Sequence, residues 1–269
     1  MKPEDLVAKH LLAIGTLNTR SSLAKRIIAG TSKVTFRTPP PGQATGRAVM
    51  ASEGIKSLIG MSFASPVYPR EEFGFDGHSF MAAYVTPGVR SVLGEFLMTH
   101  GVIFKQGLMG GTLSTAWPLL DLSIQNPRLE YVGLKTAANR PLHELRYLAR
   151  GASDLEVSLF FESSNFQHVR TEYKRDIPAA TGERQALNIE EREIRYRMVE
   201  EFADFRSEAG LTLPHSYKIS LVVDSKGGTF QADWEITLNQ FIFNQKIDKR
   251  SFTIAAQRLT GLPRLPALS

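Results

Sequence analysis

Residues 107–122 read GLMGGTLSTAWPLLDL, and no other stretch of the chain is like them. Gly107, Gly110 and Gly111 come first, then a polar step from Thr112 to Thr115, then an apolar knot, Ala116-Trp117-Pro118-Leu119-Leu120, closed by Asp121. Adjacent glycines permit backbone angles and close approaches that other residues resist. The segment therefore reads as a loop leading into a short helix. Pro118 suits the first turn of that helix, because it has no N–H to give further in. Two readings stand side by side. One is a chain reversal whose Trp and Leu fill the core; the other is a plug or lid over an apolar cavity.

The flanks contrast with it. Pro3–Ile14 reads as an amphipathic helix, with Pro3, Glu4 and Asp5 in its first turn and Gly15 as its stop. From Leu23 the period changes to two. Strands are predicted over 23–37, 47–52, 55–64, 71–75 and 78–85, with turns at Pro39–Gly42, Glu53-Gly54 and Asp76-Gly77. Ser91–Phe104 has helical spacing that changes character at Gly101, so 91–122 becomes one long apolar interruption of a strand-rich chain. Strands resume over 129–132, 142–150, 155–162 and 166–174. Residues 176–188, with Pro178 and Gly182, read as a mobile loop. Residues 190–205 are charged enough for a helix, but their neighbours alternate, and a strand is preferred. Strands over 211–223 and 229–243 form a last hairpin around Ser225-Lys-Gly-Gly.

The sum is roughly ten strands in an antiparallel meander, curled to manage its edges and its apolar face. The fold class is mainly β within α+β: a strongly curved antiparallel sheet forming an incomplete barrel, with an N-terminal helix and a central helical plug. Residues 1–255 read as a single half-barrel domain and 256–269 as a loosely attached C-terminal tail.

Composition narrows the function. Of 269 residues 42% are apolar, enough for a real core. The net charge of +5 is spread among acids, with no dense basic block and no aromatic-basic motif, so nucleic acid is not an expected partner. Absence of cysteine removes disulfides, thiolate metal sites and a Cys nucleophile. No run of about 18 apolar residues occurs, so stable membrane insertion by a helix is not expected. The N-terminus lacks an unbroken apolar signal core, since Lys9 and His10 interrupt it.

Catalytic signatures are missing. There is no G-x-S-x-G elbow, no P-loop and no G-x-G-x-x-G. His143-Glu144 begins a zinc motif, but Tyr147 stands where the second His is needed. The six histidines are scattered and read as surface or hydrogen-bonded residues, and Glu200-Glu201 as a solvated strand face. No cofactor, metal or catalytic residue is assigned, and the chain is read as a non-enzyme. Methionine and phenylalanine are concentrated in the first half, and such side chains adapt to irregular ligands. They form either an ordinary core or the wall of an apolar cavity, as curled sheets often provide. The residues assigned to that cavity and its lid are Met50, Leu58, Met61, Phe63, Phe80, Phe96, Phe104, Trp117, Leu119 and Leu120.

As a set, several motifs resemble the LolA-like group of periplasmic outer-membrane lipoprotein-sorting proteins, in its divergent soil-bacterial form. They are the helix Asp5–Gly15, Phe73-Gly-Phe-Asp-Gly77, Leu93-Gly-Glu-Phe96 and Gly110-Gly-Thr-Leu-Ser-Thr-Ala-Trp-Pro-Leu-Leu-Asp121. Tyr131–Lys135, Leu142–Tyr147, Leu159–Phe161, Phe166–Tyr173, Gly210–Pro214 and Trp234–Ile236 complete the set. The resemblance implies an incomplete barrel with a helical lid and a concave apolar face holding the acyl chains of a lipid or lipoprotein. It also implies periplasmic residence after loss of a signal peptide, with an inner-membrane transporter as donor and an outer-membrane acceptor. Family carriers tie the closed lid with an arginine, for which Arg47 is the candidate. An envelope sensor or scaffold that binds a protein on the same sheet, and a hydrolase of apolar esters, are the alternatives.

Overall fold

The computed structural model describes residues 1–38, 40–137, 139–150, 154–178 and 193–254. The chain opens with helices α1 (Pro3–Ile14) and α2 (Leu17–Ser22). Pro3, Glu4 and Asp5 occupy the first turn of α1, and Leu6, Val7, His10 and Ile14 form its buried face. Thr16 caps α2, its hydroxyl accepting from the Thr19 N–H at 3.2 Å.

Twelve strands then build one antiparallel sheet. The first wing is β1 (Lys25–Phe36), β2 (Gly42–Glu53), β3 (Lys56–Phe63), β4 (Arg70–Phe75) and β5 (Phe80–Ala82). The second is β6 (Arg128–Ala137), β7 (Arg140–Leu148), β8 (Glu156–Glu162), β9 (His168–Ile177), β10 (Ile194–Glu208), β11 (Leu211–Ser225) and β12 (Gly228–Phe243). Strand order is β5-β4-β3-β2-β1-β12-β11-β10-β9-β8-β7-β6, so the sheet stays open, with β5 and β6 at its edges. The first and last strands pair along the middle, from Arg26 opposite Phe243 to Phe36 opposite Ala232.

This order dictates the role of the central segment. The chain leaves the sheet at one edge, β5, and must re-enter at the other, β6. Three short helices make that crossing: α3 (Val92–Thr99), α4 (Val102–Lys105) and α5 (Leu122–Gln125), with a 3-10 turn at Gly111–Leu113. Ser91 starts α3, its hydroxyl accepting from the Gly94 N–H at 2.8 Å, and Asp121 starts α5 in the same way through Ser123.

Period-two alternation sorts the side chains between two faces. Met198 and Phe202 of β10, Tyr217, Ile219 and Leu221 of β11, and Trp234, Ile236 and Leu238 of β12 join the large core, as do Met50, Ile59, Met61 and Phe73 of the first wing. Two smaller clusters form separately. One packs Ile27, Val49, Ala51 and Leu58 under Ile247, Phe252 and Ile254 from the segment after β12. The other holds Leu142, Phe160 and Val169.

The fold class is as expected: mainly β, with an antiparallel sheet that is not closed into a barrel. The details differ. The rounded sum of ten was low: twelve strands form, one for each of the twelve stretches read as strands, and β2 and β6 run well beyond the ranges read, through polar ends that carry no apolar alternation. Helix α2 was not foreseen, its sequence LNTRSS having no buried residue to mark it. Residues 194–208 are a strand, as preferred over a helix. Pro118 does not open a helix; it lies in a turn, and the helix starts at Leu122, where Asp121 supplies the cap. The tail 256–269 and most of the loop 176–188 lie outside the described residues, although Asp176 and Ile177 belong to β9.

Candidate functional site

The inner face of the sheet is filled by the crossing segment. Leu108, Met109, Leu113, Trp117 and Leu119 are each at most 2% exposed, and Leu120 is half-buried against the same core. Phe104 of α4 stacks on Phe80 at 4.6 Å between ring centroids, and Phe96 of α3 meets Tyr196 of β10 at 5.5 Å. Glycine is needed at two points of this path. A side chain on Gly107 (φ 71°) would meet the Ala116 carbonyl oxygen at 1.8 Å, so the two arms of the loop touch there. At Gly111 (φ 50°) it would lie 2.8 Å from His168 Nδ1, which presses the turn onto the sheet.

Polar ties hold the plug inside this apolar setting. Arg26 of β1 is 1% exposed, and its Nη1 donates to the Thr112 carbonyl at 2.6 Å. Burial lowers its pKa to about 10. Glu200 of β10 is fully buried; its Oε1 accepts from the Gly110 N–H at 2.8 Å and from the Tyr217 hydroxyl at 2.5 Å. Its Oε2 accepts from the Tyr173 hydroxyl at 2.6 Å. Burial raises the Glu200 carboxyl to about 7, against the opposing pull of these donors. Further along, the Thr115 N–H donates to Ser52 Oγ at 2.9 Å, and the Thr115 hydroxyl donates to the Gly54 carbonyl at 2.9 Å.

A histidine layer lies under Trp117. The indole stacks on His168 at 4.5 Å, and its Nε1 donates to His10 Nε2 at 3.1 Å. His10 Nδ1 lies 3.0 Å from the Phe166 carbonyl. A neutral ring protonated on Nδ1 satisfies both contacts, in keeping with a pKa lowered to about 4, chiefly by burial. Burial holds His168 well below its usual value as well.

A second buried carboxyl sits in the first wing. Glu71 accepts from the Tyr68 hydroxyl, and burial raises it to about 7. Tyr68 in turn accepts from Trp234 Nε1 at 3.0 Å.

Nine of the ten residues assigned from sequence to the cavity and lid lie on this inner face or in the plug: Met50, Met61, Phe63, Phe80, Phe96, Phe104, Trp117, Leu119 and Leu120. Leu58 does not. It points to the outer face, in the cluster beneath Phe252, because it is one residue out of phase with Ile59 and Met61. Arg47 is likewise out of phase with Ala48 and Met50 and is exposed; Arg26 is the arginine that ties the plug.

Glu200 is no solvated charge. It falls in the inward phase Tyr196-Met198-Glu200-Phe202, and that phase was the available signal. His10 shares the apolar face of α1 with Leu6, Val7 and Ile14, a comparable signal.

An open antiparallel sheet wrapped around a tethered crossing segment defines the class of protein. No protein-family profile matches the sequence, and no curated protein matches it. Similar solved structures include the LolA superfamily protein NE2245 from Nitrosomonas europaea, at 11% identity and a TM-score of 0.46, covering 94% of this chain and 98% of that one. A putative outer membrane lipoprotein-sorting protein domain from Vibrio parahaemolyticus matches at 8% identity and a TM-score of 0.44, over 93% and 95% of the two chains. The Pseudomonas aeruginosa MucA/MucB complex matches at 11% identity and a TM-score of 0.25, over 90% and 100%. The fold family to which the sequence motifs point is thus represented among the similar structures. No helix among the described residues is long and apolar enough to cross a membrane.

Proposed function

We propose that the protein is a non-enzymatic periplasmic carrier that takes the acyl chains of a lipid or lipoprotein onto the inner face of the sheet in place of the plug. The observation that carries this reading is the character of the plug: a single crossing segment, apolar underneath, tied by a few polar contacts. Met50, Met61, Phe63, Phe80, Phe96 and Phe104 form the wall and supports in this reading, and Trp117, Leu119 and Leu120 the displaceable part. Donor and acceptor, an inner-membrane transporter and an outer-membrane receptor, follow from the sequence resemblance.

Magnitudes favour an exchange. Burial of a large apolar side chain stabilises by about 1.5–3 kcal/mol, so the five deeply buried plug side chains contribute on the order of 10 kcal/mol. An acyl chain of about fourteen methylenes returns about 11 kcal/mol at about 0.8 kcal/mol each. One chain therefore roughly balances the plug, and a second drives it out. Loading and release are then set by the polar ties and by whichever partner competes for the chains.

The cysteine-free sequence allows a clean test. Ser52→Cys with Thr115→Cys replaces the contact between these residues by a removable covalent lock. The oxidised double variant is expected to take up no fatty-acid probe, and reduction to restore uptake. Equal uptake by the locked and reduced forms would overturn the plug exchange. Absence of co-purifying lipid in native mass spectrometry, with no probe uptake by the wild type, would overturn the carrier.

A further inference from the structure

We infer that β6 is a self-association edge: two copies of this chain pair antiparallel through it, about a dyad between Val132 and Gly133, and so join their sheets into one. The two edges of the sheet are finished differently. β5 has three residues, and the crossing segment closes it: the Ala82 N–H donates to Met98 Sδ at 3.3 Å, and the Ala82 carbonyl accepts from Arg90 Nε at 2.9 Å. β6 has ten residues and pairs only with β7; among the described residues nothing else hydrogen-bonds to its backbone. On this strand Leu134 is 59% exposed and Val132 37%. An edge so long and so apolar is ordinarily covered or blunted.

A bulge in β6 selects the partner. Tyr131 stands opposite Leu145 and Gly133 opposite Glu144, so Val132 is an extra residue with no counterpart on β7. Before it, Leu129 and Tyr131 face the inner core, and Glu130 faces the outer side with Arg146. After it, Leu134 stands opposite His143 in the inner phase, and Lys135 opposite Leu142 in the outer one. The order of faces therefore reads the same in both directions from the Val132–Gly133 step. A regular strand laid along this edge matches one half and is out of phase with the other, which discriminates against ordinary extended segments. The same strand turned by the dyad is in phase throughout, in a single register.

That register is chemically matched as well. On the inner side it sets the exposed Leu134 against the second copy's Tyr131, an apolar–aromatic pair. Val132 falls opposite Gly133, where an added side chain would meet nothing within 4 Å, so its methyls have room. On the outer side Lys135, which is exposed and in no ion pair among the described residues, falls opposite Glu130. Arg128 and Arg146 already share that carboxylate, at 2.8 and 3.6 Å, so the new pair fixes register more than it adds affinity. Assembly stops at two copies, because the edges left over are both β5, which the crossing segment closes.

Sedimentation velocity of the full chain, from low micromolar to several hundred micromolar, is expected to show a shift from monomer to dimer and no larger species. Leu134→Lys changes an exposed site and spares the monomer fold; it should weaken the dimer on the order of tenfold, since the dyad counts the change twice. Val67→Lys, at a site 78% exposed on the loop between β3 and β4, should leave the dimer unchanged. A carbodiimide, which joins neighbouring amines and carboxylates, should link Lys135 to Glu130 between heavy-isotope-labelled and unlabelled copies. Within one copy these residues lie roughly 17 Å apart along the strand and do not meet. A chain that stays monomeric, a dimer that Leu134→Lys leaves intact or Val67→Lys weakens equally, or a dimer without the mixed-isotope link overturns the inference.

Discussion

At the residue scale the polar ties carry the sharpest consequences. Glu200 keeps its proton up to about pH 7 in the folded protein, whereas an ordinary glutamate gives it up near 4.5. The folded state therefore holds a proton that the unfolded state has lost. The stability this group contributes is full below pH 4.5 and falls as pH rises through 7. Glu200→Gln removes the titration but keeps an acceptor for Gly110. In urea unfolding, wild type minus variant should decline from pH 4.5 to 7 and level off above; a flat difference would show that Glu200 ionises normally. His10, neutral in the fold down to about 4, acts in the opposite sense, its stability lost as pH falls from 6.5. Leu58 gives a contrasting test. It packs on the outer face under Phe252, so Leu58→Ala should cost about 2–5 kcal/mol while leaving probe uptake unchanged. Impaired uptake at unchanged stability would place it on the ligand path instead. These buried charges were hidden in the sequence by their type: Arg26, Glu71 and Glu200 read as surface until strand phase is known. A slip of one residue reverses every such assignment.

At the element scale the crossing segment is bonded to the sheet at a few points, through Arg26, Glu200 and Ser52. Its helices α3 and α4 were legible as Ser91–Phe104 with a break at Gly101, because apolar spacing and a Ser cap coincide there. Its tail was not legible. Pro118 suggested a helix start, but the Trp117 contacts to His10 and His168 hold that stretch as a turn. Such long-range contacts leave no mark on local sequence. The strap closes on itself where Gly107 passes Ala116. Gly107→Ala would place a methyl on the Ala116 carbonyl and demand a positive φ of a residue that resists it. The variant should be destabilised by roughly 1–3 kcal/mol or more and should load probe faster, since strain in the closed form lowers the cost of opening. Unchanged loading with lowered stability would mean that the strap does not gate entry.

At the scale of the whole molecule, the topology separates the sheet from the one segment that crosses between its edges. The first strand and the last form the central seam, and the wings meander outward from it to the edges β5 and β6. Alternation and hairpin turns made the wings legible, and the antiparallel class with them. Nothing local in the sequence says that β1 pairs with β12, and so nothing said that the segment between β5 and β6 must span the inner face. That span leaves the question raised by residues 107–122 with a thermodynamic form: a strap that opens alone, or a core piece that opens only with everything else. Hydrogen exchange distinguishes them, since segments that open locally exchange at lower free energy than those needing global unfolding. In the central seam, amides of β11, β12 and β1 are bonded in long ladders, interrupted between β1 and β12 by a register shift at Ala29/Gly30, and should exchange by global unfolding alone. Around the plug, the Gly110 and Thr115 amides rest on side-chain acceptors, Glu200 and Ser52. Both should exchange at least about 2 kcal/mol below the seam, and adding an acyl ligand should expose them further while the seam stays protected. If the plug amides instead track the seam across denaturant, with one slope and one free energy, residues 107–122 are a core reversal and the inner face is never vacated.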